Sequence, residues 1–101
     1  MENKTSVFEP MWDVLEKFDG VEVDRSMKLG VKCIVKDVVT LHKFLNAYRS
    51  PAHVWVVQLE GIGPNMFIFR SYPHPRDKLS GKNLKTSINY KICSLKSELG
   101  C

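Results

Sequence analysis

No apolar run in the 101 residues approaches the roughly 20 that cross a bilayer, so a membrane-spanning helix is not expected. The opening stretch Met1-Glu2-Asn3-Lys4-Thr5-Ser6 has none of the apolar character of a secretory leader. Asn3-Lys4-Thr5 fits the glycosylation acceptor pattern, but without a leader the match reads as coincidence. Cysteine is scarce. Cys33, Cys93 and Cys101 are odd in number and widely spaced, which is not a disulfide framework. A reducing, intracellular compartment, cytoplasmic or nuclear, is the expected setting. Cys101 also lacks the three following residues that a prenylation box needs.

The signatures of catalysis are missing too. Metal sites need clustered Cys, His or carboxylate ligands, and the chain has no C-x-x-C or H-x-x-x-H pair. There is no G-x-S-x-G elbow to expose a serine, and nothing marks Cys93 as an activated thiol. Ser80-Gly81-Lys82 has the composition of a phosphate loop without its upstream glycine spacing. His42, His53 and His74 sit on three different segments, so general acid–base chemistry has no assembled pair. Neither an enzyme nor a bound cofactor or metal is expected.

What is present is globular. Apolar residues make up 44% and charged residues 26%, too apolar for disorder and enough for one core. The net charge of +4 is uneven. Residues 1–69 carry eight Lys or Arg against nine Asp or Glu, whereas residues 70–101 carry seven against two. The positive excess therefore lies in the last third, where it marks either a solvated face or a surface for an acidic partner.

Along the chain, Pro10 suits the first turn of a helix in which Met11, Val14, Leu15 and Phe18 recur at helical spacing before Gly20. Asp13, Glu16 and Asp19 fall on its solvated side. Val21 to Arg25 alternates as a half-buried strand, and Leu29, Val31, Cys33 and Val35 are the apolar phase of a second, with Cys33 a core residue. Asp37 is a good N-cap for a helix carrying Val38, Leu41, Phe44, Leu45 and Tyr48, with Pro51 as its stop and His42 partly buried. Residues 53–60 and 65–72 are strands around the turn Gly61-Ile62-Gly63-Pro64 and are expected to pair as a hairpin. Residues 72–85 read as a basic loop, Ser87 to Leu95 as a last strand with Ile88, Tyr90 and Ile92 on one face, and 96–101 as a short tail.

The expectation is one small α+β domain over residues 1–101: a mostly antiparallel sheet of four to five strands with two helices on one face. From residue 29 onward the order β-α-β-β-loop-β resembles a ferredoxin-like sheet whose second helix is reduced to a loop. The hairpin strands are apolar on both faces. With two helices on one side, the other side is an exposed apolar patch unless the first helix and the 72–85 loop cover it.

Two binding functions follow. In the first, Val54, Val56, Phe67 and Phe69 form an interaction face of an adaptor that pairs with another protein or with itself. In the second, an aromatic and basic surface in residues 67–91 binds single-stranded RNA or DNA. Arg70, Tyr72, Arg76, Lys78, Lys82, Lys85, Tyr90 and Lys91 would make its contacts. Asn65 to Arg70 stands where an RNA-recognition domain carries an aromatic strand, but the glycine-aromatic-small-aromatic order is absent. No membrane partner is expected.

Overall fold

A computed structural model describes residues 7–27, 29–49, 53–75 and 81–100. The first helix, α1 (Glu9–Leu15), starts with Pro10 in its first turn and buries Met11, Trp12, Val14 and Leu15. Gly20, at φ +73°, reverses the chain into β1 (Val21–Val23). Strand β2 (Val31–Val35) buries Val31, Cys33 and Val35, while Leu29, grouped with them by phase, lies outside the strand and is exposed. Asp37 then caps α2 (Val38–Tyr48): its carboxylate accepts from the Val39 backbone N–H and from the Thr40 hydroxyl. The core stripe of α2 is Leu41, Phe44, Ala47 and Tyr48. His42 is exposed and not partly buried, because it falls one residue off that stripe. Pro51 lies outside the described residues.

Strands β3 (Trp55–Gly63) and β4 (Met66–Pro73) form the expected hairpin. Asn65, in the left-handed region at φ +57°, closes its tight turn after Pro64. A bulge at Gly61/Gly63 takes up the extra residue. The sheet order is β1-β2-β4-β3, with every neighbouring pair antiparallel.

The C-terminal third departs from the sequence reading. Gly81–Leu99 is a 19-residue helix, α3, so there is no last strand at 87–95 and no tail from 96. The basic loop is shorter as well: Tyr72 and Pro73 end β4, and residues 76–80 lie outside the described residues. The described residues therefore form three helices and four strands. From β2 onward the order is β-α-β-β-α, the ferredoxin-like order without its closing strand. The second helix is present, and β1 supplies the fourth strand from the N-terminal side.

One core joins the layers. Met11, Leu15, Phe44, Tyr48, Ile88, Ile92 and Leu95 from the helices meet Val31, Cys33, Val35, Trp55 and Phe69 from the sheet. Phe44 stands edge-on to Phe18 at 4.9 Å and to Phe69 at 5.3 Å. Each such fully buried side chain stabilises the fold by about 1.5–3 kcal/mol. Both indoles are satisfied: Trp12 Nε1 donates to the Gly30 carbonyl, and Trp55 Nε1 donates to Ser87 Oγ at 2.8 Å, which ties α3 to β3. All strand residues in or against this core have odd numbers, so all three helices lie on one face of the sheet.

Candidate interaction face

The even-numbered strand residues make up the other face, and none of them belongs to the core or packs against it. Strand register sets them in rows. Glu22, Ile34, Ile68 and Glu60 run across β1, β2, β4 and β3. The next row places Lys32, Arg70 and Gln58 side by side, with Asp24 just past the end of β1. Beyond it Tyr72 stands opposite Val56. Ile34, Ile68, Val56 and Tyr72 are all half-buried, although no helix of the described residues lies over them. Glu22, Val23, Asp24, Lys32, Ile34 and Ile68 line a depression of about 320 Å³ on this face.

The face is charged as well as apolar. Lys32, Lys36 and Arg70 balance Glu22, Asp24 and Glu60, so its formal charge is zero. Lys36 Nζ bonds Glu22 at 2.5 Å, and Lys32 Nζ stands 4.0 Å from Asp24. The Ser26 hydroxyl and backbone N–H both donate to the Asp24 carboxylate, which lowers its pKa and keeps it ionised. Lys32 and Arg70 are direct cross-strand partners, a like-charge arrangement that costs stability unless something anionic comes near. Among the described residues the Arg70 and Glu60 side chains make no ion pair and no hydrogen bond, although they stand one diagonal apart on the face.

The residues picked out from sequence divide between the two faces. Val56 is half-buried on the open face, and Val54 is exposed just before β3. Phe69 is fully buried in the core, and Phe67 packs against it from the helix side. The four therefore form no single surface, because alternation sends the phenylalanines inward with Cys33 and Val35. The basic set is divided too. Arg70 and Tyr72 are on the open face, whereas Lys82, Lys85 and Tyr90 are exposed on α3. Lys91 is fully buried on α3, and Arg76 and Lys78 lie outside the described residues. Tyr90 stacks on His53 with ring centroids 4.5 Å apart.

Ile34, Ile68, Lys32 and Glu60 were not foreseen. The available signal is an isoleucine on the phase that carries the strand's charges, Ile34 between Lys32 and Lys36 on one strand and Ile68 before Arg70 on the other.

Elsewhere, the Arg25 guanidinium bonds Glu16 and Asp13 at 2.7 Å each and lies 5.9 Å from the Trp12 ring centroid. The hydrogen bond from Arg25 lowers the Glu16 pKa. This exposed network joins α1 to the loop after β1, consistent with the solvated side read from sequence. Among the described residues no group of His, Cys, Asp and Glu could hold a metal ion, and no helix is long and apolar enough to cross a membrane. No protein-family model, curated protein or solved structure matches the chain.

Proposed function

We propose that the protein is a non-enzymatic interaction module that presents the open face of its sheet to another protein chain, as an adaptor within a larger assembly. One observation carries this reading: two apolar cross-strand pairs, Ile34 with Ile68 and Val56 with Tyr72, flank the Lys32–Arg70–Gln58 row on a face that no helix of the described residues covers. Apolar side chains left open on a sheet face and bordered by polar ones mark an interaction site. Covering what remains exposed of these side chains would contribute on the order of 1 kcal/mol each. Arg70 and Glu60, whose side chains have no partner among the described residues, would add orientation more than affinity.

Single-stranded nucleic acid has less support. A polyanion needs a continuous positive track. Here the open face has no net charge, and the lysines of α3 belong to the opposite layer.

Val56→Asp tests the reading. Val56 is half-buried and outside the core, so the variant should keep the wild-type melting temperature within a few degrees. Wild type and variant, immobilised at equal density, are compared for bound protein by quantitative mass spectrometry. The reading predicts a partner held by wild type and lost by the variant. Equal retention contradicts it, as does an unfolded variant, which would place Val56 in the core. Salt-steep binding of labelled single-stranded RNA that survives Val56→Asp would favour the nucleic-acid reading instead.

A further inference from the structure

The charges of the open face identify its occupant. We infer that the partner is a second copy of this chain, docked face to face about a two-fold axis. The Arg70 guanidinium of each copy would lie against the Glu60 carboxylate of the other. The inference rests on the interaction reading above and adds the partner to it.

Three features support it. The face has zero formal charge, with Lys32, Lys36 and Arg70 against Glu22, Asp24 and Glu60, so it complements itself better than it complements a polyanion or a strongly acidic peptide. Its two charges without a side-chain partner among the described residues, Arg70 and Glu60, are of opposite sign. They are also diagonal neighbours, because Glu60 stands opposite Ile68 and Gln58 opposite Arg70. Diagonal neighbours on a sheet are about 7–8 Å apart, near enough for one axis between them to serve both. A two-fold axis lying in the plane of the face and passing between them turns each onto the other's counterpart. The same operation seats Ile68, one position along β4 from that axis on the same face, close to its own copy. The apolar centre of the face then closes on itself inside two symmetric ion pairs, the isologous arrangement of a two-fold dimer.

The size of the face sets the strength. Four strands about 4.8 Å apart span roughly 19 Å, and the 8 residues of β4 extend about 27 Å. Two such faces bury on the order of 1,000 Å² together, the low end for a specific interface, so the dimer is expected to dissociate in the micromolar range.

Sedimentation equilibrium from about 1 μM to about 1 mM spans that range. Wild type should pass from monomer to dimer. Arg70→Glu and Glu60→Arg should each weaken the dimer by at least about tenfold, since each replaces two attractions with two repulsions. The decisive sample is an equal mixture of the two variants. One variant carries two anions at these positions and the other two cations, so both contacts regain opposite sign and a heterodimer should form at near wild-type strength. Circular dichroism and melting confirm that each variant folds. Wild type that stays monomeric at every concentration overturns the second copy as occupant. The Val56→Asp comparison then still decides the broader reading independently. A wild-type dimer that neither charge reversal weakens, or a mixture that does not recover, overturns the inference as well.

Discussion

Lys91 is a fully buried lysine, and replacing it gives a measurable pH signature. It lies on the inward stripe of α3, and its Nζ donates to the Tyr48 carbonyl at 3.2 Å. Tyr48 is the last residue of α2, so this carbonyl is one of the four that the helix cannot pair internally. The ammonium also sits 5.8 Å from the Tyr48 ring centroid and 5.9 Å from that of Tyr90. Among the described residues no carboxylate pairs with it. Burial without a counter-charge lowers its pKa from 10.5 to about 8. In the unfolded chain it returns to the ordinary value. Between about pH 8 and 10.5 the unfolded chain therefore holds a proton that the folded one has released, and stability rises with pH across that window. Below pH 8 the full cost of burying the charge is present, about 3 kcal/mol.

Two other buried groups act in the opposite direction. Burial pushes the Cys33 thiol from 9.0 up to about 12 and raises the Tyr48 hydroxyl well above its usual value. The unfolded chain releases those protons first, so each of these groups lowers stability as pH climbs above about 9 or 10. Wild type alone would show the sum of the three. Lys91→Met isolates one of them. Urea unfolding followed by the fluorescence of the buried Trp12 and Trp55 gives the free energy of both proteins at each pH. The stability of wild type relative to Lys91→Met should rise by about 2–3 kcal/mol from pH 7.5 to pH 10.5. A difference that stays within about 0.5 kcal/mol over that range would show that the ammonium is solvated, which refutes the reasoning.

Two further substitutions probe the sheet. Gly30→Ala should destabilise by about 3 kcal/mol in the same assay, because φ is +90° and an added Cβ would fall onto the Ser71 carbonyl and the Tyr72 backbone. A loss under about 1 kcal/mol would show that β2 and β4 are less closely apposed. Ser71→Ala should raise stability by about 1 kcal/mol, since Ser71 Oγ is buried among Val31, Val57 and Phe69 with no hydrogen-bond partner among the described residues. A loss of that size would mean the hydroxyl has found a partner.

How much of this was legible follows from the physics of each element. The hairpin was readable because its turn residues and β-branched runs act locally. Helix α2 was readable because Asp37 and the Leu41–Phe44–Tyr48 stripe agree with each other. Helix α3 resembles a strand in sequence because Ile88, Tyr90 and Ile92 alternate. The longer stripe of Leu84, Ile88, Ile92, Leu95 and Leu99 was there at helical spacing, but Lys91 on the buried side obscured it. An uncovered sheet face was also foreseeable, since both sides of the hairpin are apolar. Which side the helices would take was not, because that choice rests on contacts between distant segments, such as Phe44 with Phe69 and Trp55 with Ser87. Parity alone left Val56 and Phe69 equally eligible for the exposed side.

If two copies pair through the open face and not through the helical layer, the contact has a residue-level signature. Backbone amide NMR over a dilution series of the ¹⁵N-labelled protein tests it most directly. Concentration-dependent shifts are expected at Lys32, Ile34, Glu60, Ile68 and Arg70, with α3 unchanged. Shifts confined to the exposed side of α3, or none at any concentration, would contradict it.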